Sequence, residues 1–337
     1  DVYKCAVGAH LNHLLEFLVA LLCYALFFAD GSWVRECAEL RVPWVARVVS
    51  FNLACEGVLF GFWHWLLYVS AYAKGMRRFK FNPENPYEPR SSAAPGRKDE
   101  GAAKKVGFVT SSTGNLQREV WYTTLGWLQS SFWQCLLMWL WASGRLPNYY
   151  TEFFAGPGHS LHSVFFLGAV TYWREIHFYW VHRGMHPWFD RRLGLKDGDV
   201  GAFLYRHFHS LHHKSYNPGP WAGLSMHPVE HLFLYSCAWL PPFFMAVHPL
   251  HFLYAKFHAD IASIGGHDGH AEPGGGSDYH YLHHAKFECN YGVPFPIDFD
   301  RIFGTFVDYR EFKESGNSTP SQLAGGRGGV TGQEDGQ

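Results

Sequence analysis

Apolar residues gather in four long runs separated by polar loops: His10–Ala29, Val45–Ala73, Trp121–Ala142 and His159–Val181. Each supplies the roughly 20 residues that a helix needs to cross a bilayer. The fourth run carries Arg174, Glu175 and His177 near its end, so its last turns are expected to emerge as a cytosolic extension. A fifth apolar region, Leu232–Ile264, is interrupted by Pro241-Pro242 and by Pro249. Proline removes a helix hydrogen bond and clashes with the preceding turn. The region reads either as two shorter helices in a hairpin that dips into the membrane or as one kinked transmembrane helix. The pattern predicts an all-α integral membrane protein with about four transmembrane helices plus a helical hairpin.

The loops set the orientation. Residues 74–105 hold nine Lys and Arg, against two in 30–44 and one in 143–158. Cytosolic loops carry the excess of Lys and Arg, so 74–105 is expected in the cytosol. Four crossings then place the N-terminus and everything after Val181 on that side, where Arg183, Arg191, Arg192, Arg206 and Lys214 agree. Phe81–Val106 is rich in Pro, Glu, Arg, Ser and Gly and reads as a flexible linker. The segment after about Glu314 has almost no apolar residues and reads as a disordered tail. The expected organisation is N-terminal transmembrane helices over 1–80, a cytosolic linker over 81–106, a catalytic domain over 107–313 and a tail over 314–337.

Composition adds exclusions. The net charge is −1, which leaves no basic excess to suggest nucleic acid. Aromatic residues make up 18% and charged residues 17%, a balance that fits membranes, where Trp and Tyr collect at the interfaces. Seven Cys form no CxxC pair and read as buried small hydrophobes. The chain opens on Asp1, which points to a fragment or a processed form.

The histidines carry the chemistry. Of 22, 17 lie at or after His177, and they are clustered. His182 and His186 form HxxxH; His209, His212 and His213 form HxxHH; His280, His283 and His284 form a second HxxHH. On a helix, positions i, i+3 and i+4 share a face, so each motif aims its imidazoles one way. Neutral imidazole is a good ligand for Fe, Zn, Cu or Ni. Three such faces supply eight imidazoles, more than one metal uses, so two metals follow. Composition alone would produce HxxHH only about 0.1 times in such a chain, yet it occurs twice. Two further candidate ligands, His267 and His270, lie in HDGH between the clusters. His227 opens HPVEH, and His207 flanks the second cluster off its face. Carboxylates are scarce in these motifs, which argues against Mg or Ca. The first cluster directly follows the fourth apolar run, so the site belongs at the cytosolic membrane boundary.

These motifs resemble the fatty acid hydroxylase / sterol desaturase superfamily of membrane di-iron enzymes. Neighbouring text agrees: Tyr179-Trp180-Val181-His182-Arg183 resembles YWxHR, and Met226-His227-Pro228-Val229-Glu230 resembles the HPxE stretch. His267-Asp268-Gly269 resembles HDG, while Asn290-Tyr291-Gly292 and Asp300-Arg301-Ile302-Phe303-Gly304-Thr305 resemble the closing NYG and DRxFGT. Phe299 stands where the family usually has Trp, a conservative change at an aromatic packing position. The match covers roughly residues 160–310, and its HDG and NYG wording is nearest to sterol 5-desaturases.

The resemblance implies a helical membrane fold with a cytosolic histidine-rich metal-binding cap in the endoplasmic reticulum. It implies two iron ions, with zinc able to replace them in purified protein, and O2 as oxidant. Electrons would come from NAD(P)H through cytochrome b5 and its reductase. The expected ligands are His182, His186, His209, His212, His213, His267, His270, His280, His283 and His284. His227, His207, Glu230 and Asp268 are expected as supporting groups or further ligands. No other side chain is required to be catalytic. The expected reaction is desaturation or hydroxylation of a lipid, first of all a sterol. A fatty-acyl or sphingolipid hydroxylase is the alternative within the superfamily. A histidine-rich membrane metal transporter is the alternative of another class. A hydrolytic zinc enzyme would show HExxH, which the sequence lacks.

Overall fold

The structure is a computed structural model that describes residues 2–82, 85–87, 112–188, 199–271, 277–294 and 297–314. Most of the expected linker, the tail beyond Glu314, and Arg191 and Arg192 lie outside the described residues. Among the described residues every element is helical and no strand occurs. Two isolated bridges, Lys80 with His270 and Tyr149 with Val247, are the extended pairings among these residues.

The apolar runs become long helices: α1 (Val2–Phe27), α3 (Val42–His64), α5 (Ser112–Ala142) and α6 (Pro157–Gly184). The short α2 (Trp33–Glu36) lies between α1 and α3, and α3 continues as a π-turn over Trp65–Val69 and then α4 (Ala71–Met76). α3 and α6 each begin with proline in their first turn, where its missing N–H and fixed φ are no cost. Among the described residues one helix, Val42–Val69, is long and apolar enough to cross a membrane, at a mean hydropathy of 1.4. His13–Phe27 is a shorter apolar helix. α5 and α6 have the length, but Trp, Tyr, His, Ser and Gln in their sequences lower their hydropathy.

The proline-broken region resolves into pieces. α8 (Pro228–Leu234) and α9 (Ser236–Trp239) end at a 3₁₀ turn over Pro241–Phe243, and Pro249 opens α10 (Pro249–His267). Nearly all of α10 is buried, and it is the axis of the molecule. α1 packs most extensively upon it. Rings pair Tyr24 with His248, Phe17 with Tyr254 and His13 with His258, so the two helices run in opposite directions. Lys256 Nζ reaches Glu56 of α3 at 2.7 Å, and Tyr68 OH reaches Asp268 O at 2.5 Å, so α3 runs with α10. Asn52 of α3 donates to Ser131 Oγ and Gln134 Oε1 of α5, both at 2.9 Å, and Phe60 packs on Trp127, so α5 runs against α3. His251 Nε2 donates to Ser163 O of α6 at 2.9 Å, near the start of both helices, and both continue towards the histidine clusters. Four long helices therefore alternate in direction around α10.

Six further elements sit at one end of this bundle. They are α7 (Val200–His207), a 3₁₀ turn over His209–Lys214, another over Pro220–Ala222, α11 (Ser277–Lys286), α12 (Phe299–Phe303) and α13 (Tyr309–Glu314).

Candidate metal centre

Four elements deliver nine histidines to one place. α6 brings His182, and His186 follows just past its end, where His186 N bonds Arg183 O at 3.2 Å. The 3₁₀ turn brings His209, His212 and His213. α10 ends on His267, and α11 brings His280, His283 and His284. The first HxxHH was expected on an α-helix; it stands on a 3₁₀ turn, where positions i and i+3 eclipse. The rings of His209 and His212 accordingly stack at 5.6 Å. Gly201 lets α7 close over the HxxxH end: a Cβ there would lie 2.0 Å from His186 O.

The nine form two groups, each with its donor atoms within 4.8 Å of one another. One is His182, His186, His209, His213 and His283; the other is His212, His267, His280 and His284. All nine are buried. Both HxxHH motifs are divided between the groups. His209 and His213 join the first while His212 joins the second; His283 joins the first while His280 and His284 join the second.

In the five-histidine group, Nε2–Nε2 separations are 3.0 Å for His182–His209 and His209–His213, 3.3 Å for His186–His213 and 3.2 Å for His213–His283. In the four-histidine group they are 3.3 Å for His212–His267 and 2.9 Å for His267–His280. Two nitrogens bound about 2.1 Å from one ion stand roughly 3.0–3.4 Å apart at ordinary coordination angles, so the spacing fits.

The tautomers strengthen that fit. His182 Nδ1 donates to Tyr291 O at 2.5 Å, and His283 Nδ1 donates to Cys289 O at 2.7 Å. His267 Nδ1 donates to Ser263 O at 2.8 Å, and His212 Nδ1 to Ser225 O at 3.4 Å. A carbonyl oxygen only accepts, so each of these rings carries its proton on Nδ1 and a lone pair on Nε2. His212 and His267 thus face each other with two lone pairs 3.3 Å apart, an arrangement that a cation between them relieves. His284 is fully buried with neither ring nitrogen partnered by protein, so either nitrogen is free to bind an ion.

Burial keeps these imidazoles neutral. It lowers His209 to about 3 and His212 to about 4, and it pushes His182, His186, His213, His267, His280, His283 and His284 well down. Neutral imidazole is the ligating form. His209 Nδ1 meets Glu230 Oε1 at 2.6 Å in a fully buried pair. Burial raises the Glu230 carboxyl to about 8; a dication at His209 would favour its ionised form.

The other expected residues are placed as follows. His270 stands outside both groups: its Nδ1 lies 2.9 Å from Asp268 O, its ring packs on Tyr68, and its backbone bridges to Lys80. Asp268 accepts from His270 N at 2.8 Å, within the turn that follows α10. His227 caps α8, accepting from Val229 N at 3.1 Å, and packs on Phe208. His207 is exposed beside Phe203. Phe299 stacks on Tyr179 at 4.7 Å, the packing role expected of it. The backbone carbonyls that orient four of these histidines carry no signature in side-chain spacing, so sequence reasoning missed them.

Comparison with known proteins gives these histidines a context. Residues 166–305 match the family model for fatty acid hydroxylase. Rat lathosterol oxidase is 28% identical over 211 residues, covering 60% of this chain and 64% of the rat protein. Sphinganine C4-monooxygenase 2 of Arabidopsis thaliana is 30% identical over 142 residues, 39% of this chain and 50% of that protein. A putative Delta(7)-sterol-C5(6)-desaturase 2 of the same plant is 30% identical over 139 residues, 40% and 45% respectively. The chain thus spans less than two thirds of each relative's length. No solved structure matches it.

Proposed function

We propose that this chain, whose residues 166–305 match the family model for fatty acid hydroxylase, oxidises a membrane lipid with O2, by desaturation or hydroxylation, at a di-iron centre. The observation that carries this reading is the donor set: nine buried imidazoles in two adjacent groups, with ring nitrogens at coordination spacing. All-nitrogen donors suit a transition metal over Mg or Ca. Iron bound there supplies activation of O2 and removal of hydrogen from an unactivated C–H. The protein's own work is to hold ligands, orient substrate and exclude water. His209 is oriented by Glu230. Phe178 lies 5.0 Å from His182 and 6.1 Å from His280, shielding both groups from the side of the bundle.

A lipid substrate fits the surroundings. An apolar cavity of about 410 Å³ opens between α6 and α10, lined by Val170, Trp173, Cys237, Pro242, Phe252 and Ala255 among others. Trp173 precedes His182 by nine residues on one helix, about 14 Å, which suits a long apolar tail. Exposed apolar side chains recur every fourth residue on α1, at Leu14, Leu18, Leu22 and Leu26, and again at Leu161 and Phe165 on α6. Such continuous exposure marks a surface that meets lipid or a partner. The reading therefore includes membrane crossings by α1, α3, α5 and α6 in the endoplasmic reticulum, a cytosolic metal cap, and electrons from NAD(P)H through cytochrome b5 and its reductase.

A sterol is the first substrate to test, given the likeness to lathosterol oxidase and to the putative sterol desaturase. The sphinganine monooxygenase match favours a sphingoid base as second. A transporter would place ligands near the bilayer midplane on helices that alternate access; here they collect at one end of the bundle, which favours the oxidase. The test is expression in yeast lacking its sterol 5-desaturase and in yeast lacking sphinganine hydroxylase, with sterols and sphingoid bases profiled. Recovery of the 5-unsaturated sterol is expected. Unchanged sterols and sphingoid bases, with folded protein and reducing partners present, would overturn the proposal.

A further inference from the structure

The carbonyls of Cys289 and Tyr291 fix the tautomers of two ligands in the five-histidine group, His283 and His182. Both belong to one short loop after α11, and that loop has no regular hydrogen-bonding of its own. Its position comes from Asp300, a wholly buried residue of α12. Asp300 Oδ1 accepts from Tyr291 N at 2.9 Å and Thr305 Oγ1 at 2.5 Å; Oδ2 accepts from Gly292 N at 2.7 Å and Tyr279 OH at 3.0 Å. A carboxylate offers about four acceptor sites, and all are used here.

Neighbouring residues commit to the same geometry. Asn290 takes a left-handed φ of 53°, tolerated in Asn. Its side chain accepts from Val307 N at 2.8 Å and donates to Val307 O at 3.0 Å. Gly292 has no room for a side chain: a Cβ would lie 2.9 Å from Tyr179 and 3.3 Å from Asp300 Oδ2. By contrast, the carbonyls serving the four-histidine group belong to Ser225 and Ser263, outside this loop.

We propose that Asp300 is a positioning residue for the five-histidine group alone, holding the Cys289–Gly292 loop so that two carbonyls aim His182 and His283. The proposal rests on reading this site as a metal centre. An Asn at 300 keeps one carbonyl oxygen and turns an NH2 on donors that need an acceptor. Removing such an outer support lowers metal affinity by about 10- to 100-fold.

The test uses the full chain in detergent, stripped of metal and titrated with Co(II) and with Zn(II) against a competing chelator. Wild type is expected to bind two ions; fewer than two would overturn the metal-centre reading itself. Asp300→Asn is expected to weaken one ion by about 10- to 100-fold and leave the other unchanged. The cobalt band that shifts should be the band lost in His283→Ala. Gly292→Ala, which displaces the same loop, should act on the same ion and keeps the test open if Asp300→Asn does not fold. Two ions bound at wild-type affinity with unaltered bands would overturn the proposal. Equal weakening of both ions in a variant of native helicity would overturn it too, because Asp300 would then support the fold at large.

Discussion

At the level of single residues, the two groups draw a boundary inside one four-residue motif. His267 and His270 are three apart, yet only His267 reaches the four-histidine group, at 3.3 Å from His212 and 2.9 Å from His280. His270 is tied to Asp268 and Tyr68. We expect His267→Ala to lower bound metal from two ions to one per chain and His270→Ala to leave it at two, measured by elemental analysis of purified protein. Equal loss in both variants would contradict the placement. Spacing alone brought the clustered histidines together, because imidazoles at i, i+3 and i+4 must lie near one another. It did not separate His267 from His270. That distinction depends on Gly269, whose φ of 78° reverses the chain, and on Phe81 N, which bonds Gly269 O at 3.2 Å from a distant segment.

Among the elements, α10 holds the least expected feature. Lys256, Asp260, Ser263 and His267 recur at steps of four, three and four, so they share one helix face. All four are buried. Lys256 Nζ meets Asp260 Oδ2 at 2.8 Å and Glu56 Oε1 at 2.7 Å, and Tyr235 OH adds a bond to Asp260 at 2.5 Å. Lys256→Met would strand two buried carboxylates and cost about 3–5 kcal/mol, read as a lower melting temperature in detergent. Joining it with Glu56→Leu and Asp260→Asn removes the stranded charge and should restore much of the loss. An unchanged melting temperature in the single variant would show that the network contributes nothing. Sequence patterning located the helices, because apolar runs of this length have few alternatives, and Pro241-Pro242 and Pro249 marked the real breaks. It missed the ion network, although charge inside apolar runs at Glu16, Glu56, Lys256 and Asp260 was a visible signal. It also made the first HxxHH α-helical. It stands instead on a 3₁₀ turn of six residues, His209–Lys214, and over so short a run side-chain spacing does not tell the two helix types apart.

Over the whole molecule, the alternating helices separate a histidine-bearing end from the end where Trp33 packs on Tyr149 and Tyr24 on His248. Four crossings would put Glu39 on the lumenal side and Lys214 on the cytosolic side; both side chains are exposed. An impermeant thiol reagent applied to sealed microsomes should label Lys214→Cys and spare Glu39→Cys until detergent is added. The reverse pattern would invert the orientation, and labelling of both would remove the crossing. The long helices also have a mechanical meaning. α6 is a 28-residue rod with Ser163 braced on α10 near one end and His182 at the other; α10 repeats the plan with His267. A bilayer thinner or thicker than the apolar belt is met by helix tilt. Under the proposed crossings, tilting either rod would swing the histidine at its tip, so lipid thickness would act directly on how tightly ions at the proposed centre are held, and metal retention compared in short-chain and long-chain nanodiscs would read it.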